Sequence, residues 1–138
     1  MILPILDVKD VDASLAFYTQ ALGFAQQMAT PGPDGVNAFA FVRRGNAMIG
    51  LNRTENPQVG AGADLMVYVG ENDDLEALYN SVKGQGIQTE TEIKLQYWGD
   101  QTFSLLDPDG YRITMCKQVH ETDLEHAAAV IRGDVEAD

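Results

Sequence analysis

An internal repeat limits the folds open to this chain more than any other feature of its sequence. When the sequence is shifted against itself by 61 positions, identical residues coincide at Val8 and Val69, Asp12 and Asp73, Ala16 and Ala77, Tyr18 and Tyr79, and Gly23 and Gly84. A repeat of this length within 138 residues predicts two copies of one supersecondary unit. The chain is too short for two independent domains of ordinary size, so we expect the copies to share one core.

Each copy has the sequence pattern of a strand, a helix and further strands. The strands ILPILDV and DLMVYV are followed by acidic and Asn residues suited to a helix N-cap. Apolar residues then recur at helical spacing, and Gly23 and Gly84 are placed to end the helices. Two alternating strands follow in each copy, joined at Gly45-Asn46 in the first and at DPDG in the second. Each copy therefore predicts the order β-α-β-β-β.

We divide the chain, as one α+β domain, into two modules and a C-terminal segment. Module one spans residues 1–54 and module two residues 64–117, with a Gly- and Pro-rich linker at 55–63. In the C-terminal segment, 118–138, the sequence Thr122-Asp-Leu-Glu125 is a capping box that predicts a short helix with one apolar side. We expect the acidic residues at its end to fray.

Charge and composition restrict the partners of the protein. The formal net charge is −12, which disfavours nucleic acid because a phosphate backbone is held by clustered Lys and Arg. This charge suits neutral or cationic ligands, and it also serves solubility. No apolar run reaches about 18 residues and no basic leader begins the chain, so we expect a soluble, cytoplasmic protein that binds no membrane. The single cysteine, Cys116, cannot form an internal disulfide, and we expect it to be inert.

The two ends of the repeat resemble a known superfamily. The opening PILDVKDVDASLAFYTQALGF and the closing WGDQTFSLLDPDGYRITM resemble the vicinal oxygen chelate superfamily, which contains glyoxalase I, extradiol dioxygenases and bleomycin resistance proteins. The resemblance covers residues 3 to 117 and implies two βαβββ modules forming a curved mixed sheet around a cleft, with helices outside. It also implies a homodimer with composite sites. It leaves the activity open, because likeness of fold gives the class alone.

Strand alternation predicts which side chains face the cleft, since alternate residues of a strand share a face. We assign the uniformly aliphatic positions to the helix side and the mixed positions to the cleft. A two-residue turn at DPDG places Phe103 on the face of Thr114 and Cys116, whereas a four-residue loop would reverse this. We also expect Arg112 to pair with Asp107. The ligand-binding residues predicted are Asp7, Phe39, Phe41, Asn52, Asp64, Tyr68, Tyr97, Trp98, Phe103 and Thr114. Alternatively, the phenylalanines fill a closed core. The polar residues predicted on the same face argue against a closed core, because burying them without partners would be costly.

The resemblance also identifies the places where metal-using members hold their ion. These places correspond here to Leu3, Gly50, Asp64 and Thr114. Only Asp64 is a carboxylate, and a divalent transition metal needs about three donors such as imidazole, carboxylate or thiolate. His120 and His126 lie beyond module two and, six residues apart, fall on different sides of a helix. We therefore expect no metal and no other cofactor.

A tryptophan beside a glycine opens the last hairpin. Tyr97 and Trp98 lie where the sheet edge meets the predicted cleft, and Gly99 permits a close turn there. Their rings offer a flat surface for stacking a planar or cationic guest. The Trp-Gly dipeptide before a strand and DPDG resembles the bleomycin-resistance branch, whose members bind an aromatic, cationic antibiotic without altering it. A hydrophobic plug at a dimer contact is the other role open to Trp98.

The sequence favours a metal-independent protein that sequesters a small aromatic or cationic compound, with antibiotic resistance of the bleomycin type as one outcome and no catalytic residues. Two other functions stay open. One is a glyoxalase-like lyase or a dioxygenase with a divergent metal site around Asp64, completed by Asp7, Asn52 or water. The other is a protein without a ligand, whose acidic C-terminal helix makes a contact with another protein.

Overall fold

The computed structural model describes residues 1–59, 63–121 and 123–136. It contains two four-stranded sheets, one from each half of the chain. The elements of module one are β1 (Ile5–Val8), α1 (Val11–Ala16), β2 (Ala25–Pro31), β3 (Asn37–Arg44) and β4 (Ala47–Arg53). Those of module two are β5 (Leu65–Tyr68), α2 (Leu75–Gly84), β6 (Lys94–Leu95), β7 (Asp100–Leu106) and β8 (Arg112–Gln118). A third helix, α3 (Leu124–Arg132), follows.

The two sheets have the same topology. Their strand orders are β1-β4-β3-β2 and β5-β8-β7-β6, and in each the first strand pairs in parallel with the last while the other pairs are antiparallel. The predicted β-α-β-β-β order and the two-module α+β fold class are confirmed. The segment between β4 and β5, which contains the predicted linker, has no helix or strand among its described residues.

The helices begin and end through local capping. The Asp10 side chain accepts a hydrogen bond from the backbone N–H of Ala13 and begins α1. A wider π-helical turn, Phe17–Ala21, continues α1, and Gly23 then reverses the chain in the left-handed region at φ 74°. In module two α2 ends at Gly84, as predicted, and Gly86 takes the left-handed conformation at φ 79° two residues later.

The helices cover one face of each sheet and form a continuous core with it. Aliphatic residues of β1, β4 and β5 point to this side, as the alternation predicts, and Val8 and Leu51 are fully buried. The helix tyrosines Tyr18 and Tyr79 lie in the same core, which takes residues from both modules. The modules therefore stabilise one another by apolar burial.

The β7–β8 hairpin differs from the prediction. Leu106 pairs with Arg112, so the connection has five residues, 107–111, and Phe103 opposes Met115. A register shifted by one residue moves every side chain of a strand to the other face. Phe103 is therefore fully buried against Tyr79, with ring centroids 5.2 Å apart, and the prediction that it lines the cleft is wrong.

Hydrogen bonds from this hairpin connection tie the two modules together. Asp109 accepts a hydrogen bond of 2.9 Å from the backbone N–H of Lys9, and the Tyr111 hydroxyl donates one of 2.9 Å to the carbonyl oxygen of Asp7. A second link joins Arg44 at the end of β3 to Asp73 before α2, at 3.2 Å.

The C-terminal helix packs less closely than the others. The N-cap of α3 is Asp123, whose carboxylate accepts from the backbone N–H groups of Glu125 and His126; Thr122 of the predicted capping box lies outside the described residues. No residue of α3 is buried, and Leu124 and Ile131 are exposed. Among the residues that the structure describes, no helix has the length and apolar character that crossing a membrane requires.

Candidate ligand-binding site

Each sheet has an open face, by which we mean the face opposite the helices. In module one this face carries Ile5, Asp7, Phe39, Phe41, Met48, Gly50 and Asn52, and in module two Met66, Tyr68, Asp100, Thr102, Ser104, Thr114 and Cys116. Ile5 is 56% exposed and Tyr68 is 51% exposed. Apolar and aromatic side chains are thus available on these faces.

On the open face of module one, two aromatic rings lie against a glycine. Phe39 and Phe41 meet edge to face with ring centroids 4.9 Å apart. A Cβ atom on Gly50 would lie 3.2 Å from Phe39 and 3.4 Å from Phe41, so the missing side chain leaves the space in which the rings pack. Nearby, the Asn52 side-chain amide donates a hydrogen bond of 3.2 Å to Asp7. The structure thus brings together four predicted site residues.

On the open face of module two, a buried carboxylate gathers the aromatic residues. The Tyr68 hydroxyl donates to Asp100 Oδ2 at 2.6 Å, and the Trp98 indole N–H donates to the same oxygen at 2.8 Å. Tyr97 meets Trp98 edge to face, with ring centroids 4.9 Å apart. Asp100 is only 5% exposed. The hydrogen bond between Tyr68 and Asp100, together with burial, raises the pKa of Tyr68 to about 12. The Tyr68 hydroxyl is therefore protonated at neutral pH and donates its hydrogen.

A close backbone contact explains why a glycine follows Trp98. Gly99 has φ 97°, and a Cβ atom there would lie 2.5 Å from the carbonyl oxygen of His120. The Gly99 carbonyl in turn accepts the backbone N–H groups of Val119 and His120, each at 3.0 Å. Only glycine fits both the conformation and the contact. The Trp-Gly pair is thereby held against the segment that follows β8.

Two cavities adjoin Tyr68. One, of about 610 Å³, is lined by Tyr68, Val69, Gly70, Glu71, Lys117, Gln118, Val119, His120 and Glu121. The other, of about 460 Å³, contains Met66 and the β3–β4 turn in its lining. Their volumes fall within the usual range for small-molecule sites. Sequence reasoning identified Tyr68 but missed Asp100, Glu71 and Glu121. The signal available for Asp100 was a charged residue directly after Trp-Gly, at the start of a strand.

The remaining predicted residues lie elsewhere on the open face of module two. Asp64 lies 3.7 Å from Arg112, whose other nitrogen is 2.6 Å from Glu90. The predicted pairing of Arg112 with Asp107 is therefore wrong. The Thr114 hydroxyl shares a hydrogen bond of 2.8 Å with Ser104. Neither Asp64 nor Thr114 contributes to the cluster around Asp100.

Cys116 lies on the same face but is fully buried. Burial, together with the nearby charge of Asp100, raises the pKa of its thiol to about 12. A thiol that stays protonated at neutral pH is a poor nucleophile. The arrangement thus agrees with an inert cysteine.

The residues at the superfamily's metal positions do not fit a divalent transition metal. Leu3 and Gly50 have no donor atom, the Thr114 hydroxyl bonds to Ser104, and Asp64 lies beside Arg112. In the described part of the chain, no group of three or more His, Cys, Asp or Glu residues is placed to hold a metal ion.

The histidines are closer than the sequence predicted. His120 precedes α3 rather than lying on it, so it and His126 both line one small cavity of about 230 Å³. The expectation that the two histidines lie on different sides of one helix is therefore wrong.

Known proteins share this two-module arrangement. The family model described as "Glyoxalase/Bleomycin resistance protein/Dioxygenase superfamily" matches residues 4–115. Bleomycin resistance proteins of Geobacillus stearothermophilus and Staphylococcus aureus are 26% identical over 132 residues, covering 85% of this chain and 96% of theirs.

Solved structures agree in fold. TioX from Micromonospora sp. ML1 has a TM-score of 0.70 at 16% identity and covers 86% of this chain and 98% of its own. A putative glyoxalase family protein from Bacillus anthracis has a TM-score of 0.67 at 17% identity, covering 86% of this chain and 93% of its own. The resemblance of the two sequence ends is confirmed by the family match over both modules, and this chain belongs to the Glyoxalase/Bleomycin resistance protein/Dioxygenase superfamily.

Proposed function

We propose that this protein binds a small aromatic or cationic compound and holds it unchanged, without a metal, so that a drug of the bleomycin type is kept from its target. The gathering of Tyr68, Tyr97 and Trp98 around Asp100 carries the proposal. Flat aromatic rings beside a carboxylate suit a planar or positively charged guest. Antibiotic resistance would then follow from stoichiometric capture.

The sequence comparison supports the same ligand class. Proteins named for bleomycin resistance align with this chain over 96% of their length. The net charge of −12 favours the approach of a cationic compound by raising its concentration near the surface.

Exposure of the open face supports a homodimer. Ile5 at 56% exposure and the half-buried Phe39 and Phe41 present apolar surface that a second subunit would cover. We propose that such a dimer completes the site. Analytical ultracentrifugation tests this part of the proposal, and a sedimentation coefficient of the monomer at micromolar concentration would contradict it.

Fluorescence provides the test of binding, because Trp98 is the single tryptophan of the chain. Titration with metal-free bleomycin should change the Trp98 emission and saturate. Calorimetry on Trp98→Ala should show binding weakened by about 0.5 to 2 kcal/mol, the usual contribution of a stacked or cation–π contact. Tyr79→Phe, which changes an aromatic residue of the core, serves as the control and should bind as the wild type does. Absence of binding by both methods would contradict the proposal.

A lyase or dioxygenase with a metal site around Asp64 lacks comparable support. Asp7 hydrogen-bonds to Asn52, and Asp64 lies beside Arg112. Such a site would need further donors, and the superfamily's metal positions supply only Leu3, Gly50 and Thr114 beside Asp64.

A further inference from the structure

Among the residues that the structure describes, only neutral groups donate to the buried carboxylate of Asp100. Tyr68 and Trp98 both donate to its Oδ2 atom, and no described residue donates to Oδ1. In the described residues, no fully buried side-chain oxygen lacks a hydrogen-bond partner. Since Asp100 is 5% exposed, its Oδ1 atom must therefore reach the surface. The site thus offers one carboxylate oxygen with free hydrogen-bonding capacity.

No cation of the described chain compensates this charge. The ion pairs formed among described residues involve Asp34, Asp64, Asp73, Glu90 and Asp134, and none involves Asp100. Lys117 is the nearest lysine along β8, but its ammonium group donates to the carbonyl oxygen of Asp73 at 2.6 Å. A carboxylate removed from water without a cation is costly, and a bound cation would lower that cost.

The cavity beside Tyr68 has the same electrostatic character. The Tyr68 side chain bonds to Asp100 and also lines the cavity of about 610 Å³. Glu71 and Glu121 line this cavity, and neither forms an ion pair with a described residue. Lys117 lines it as well and keeps its positive charge, because its ammonium donates to the neutral carbonyl oxygen of Asp73, so the two glutamates outnumber this lysine in the lining. The cavity and the adjoining carboxylate therefore favour positive charge over negative.

We infer that the site takes an organic cation with N–H donors, an amidinium, guanidinium or primary ammonium, whose charged group binds Asp100 Oδ1 beside Tyr68 and Trp98. The rest of the ligand lies in the cavity lined by Glu71 and Glu121. This inference rests on the proposed function and narrows it, because a neutral aromatic compound of the same shape binds less tightly. Asp100 is then the residue that selects positively charged ligands over neutral ones.

A pair of probes that differ only in charge tests the inference. The probes are 2-naphthamidine, a cation, and 2-naphthamide, its neutral isostere, each titrated by calorimetry and by Trp98 fluorescence. The amidine should bind about tenfold or more tightly than the amide, as expected for a charge-assisted hydrogen bond. When the salt concentration rises from about 0.05 M to about 0.5 M, the affinity for the amidine should decrease and the affinity for the amide should not.

Two variants separate Asp100 from charge in general. Asp100→Asn keeps one oxygen for Tyr68 and Trp98 and replaces Oδ1 with an amide NH₂, so near-UV circular dichroism should stay unchanged while the amidine loses its advantage. Asp64→Asn removes the same charge from the open face away from the cluster and should keep the wild-type selectivity.

The outcomes distinguish this inference from the proposed function. Equal affinity of amidine and amide, or an unchanged advantage of the amidine in Asp100→Asn, would overturn the inference while binding itself stands. Failure of bleomycin and of both naphthyl probes to bind would overturn the proposed function and the inference with it. Loss of selectivity in Asp64→Asn to the same extent as in Asp100→Asn would also count against the role of Asp100.

Discussion

Tyr18 of module one donates a hydrogen bond of 2.7 Å to Asp107 of module two, across 89 positions of the chain. The other carboxylate oxygen of Asp107 accepts the backbone N–H groups of Asp109 and Tyr111. One side chain therefore both shapes the β7–β8 connection and joins the modules. Tyr79, the equivalent tyrosine of the repeat, instead accepts a hydrogen bond of 3.2 Å from Lys83. The two copies keep the same residue for different hydrogen bonds.

Removal of the Tyr18 hydroxyl should destabilise the protein. Tyr18→Phe leaves the buried carboxylate of Asp107 with one donor fewer, which should lower the free energy of unfolding by about 1 to 3 kcal/mol. Tyr79→Phe is the matched control and should cost less than about 1 kcal/mol, because the Lys83 ammonium can turn to water. Urea denaturation measures both, and equal losses would contradict the link between modules.

Asp107 should also give the stability a defined pH dependence. Burial raises the pKa of Asp107 above its ordinary value, so the folded state binds this proton more tightly than the unfolded state. The contribution to stability is then fully present below the ordinary pKa and falls as pH rises through the raised pKa. The asparagine in Asp107→Asn does not titrate. The deficit in unfolding free energy of this variant relative to the wild type should therefore shrink as the pH rises from about 4 to about 7. A deficit that grows over that interval would contradict the assigned direction.

Two glycines with the same backbone conformation should tolerate alanine differently. Gly99 and Gly110 have φ 97° and 98°, but a Cβ atom meets His120 at 2.5 Å only at Gly99 and meets nothing within 4 Å at Gly110. Gly110→Ala should cost about 1 to 2 kcal/mol for the left-handed conformation. Gly99→Ala should cost at least about 1 kcal/mol more and shift the Trp98 emission. Similar melting temperatures and emission spectra for the two variants would argue against the close contact.

The buried thiol should resist alkylation. With its pKa raised to about 12, Cys116 carries roughly one thiolate in ten thousand molecules at pH 8. Iodoacetamide should therefore label the native protein far more slowly than the protein in concentrated urea, as followed by mass spectrometry. Rapid stoichiometric labelling of the native state would show that Cys116 is accessible and activated.

The fold was predictable because local and global signals agree along the chain. The repeat of Tyr18 at Tyr79 gave the two modules, and aliphatic alternation in β1, β4 and β5 identified the buried faces. The face of Phe103 was not predictable, because the DPDG turn is compatible with connections of different length. The loop of residues 107–111 is set by hydrogen bonds to Asp107, two from backbone N–H groups within the loop and one from Tyr18 of the other module.

The site was predictable only in part. The rings of Tyr68, Tyr97 and Trp98 were identified because aromatic residues at a sheet edge stand out in a sequence. Asp100 was missed because its burial depends on two donors that come from different strands and loops, Tyr68 from β5 and Trp98 from the turn before β7. Such a meeting of side chains is a property of the tertiary structure rather than of any local pattern.

Capture without chemical change is the central claim, and analysis of the ligand after prolonged contact with the protein tests it most directly. Bleomycin is incubated with the protein in the presence of added Fe²⁺, Zn²⁺, Ni²⁺ or Mn²⁺, the protein is then denatured, and the released compound is examined by mass spectrometry. We predict that the compound is recovered with its mass unchanged. The amount of compound that the protein binds should saturate in proportion to the protein present. A product formed in excess over the protein, and abolished by a chelator, would contradict the account.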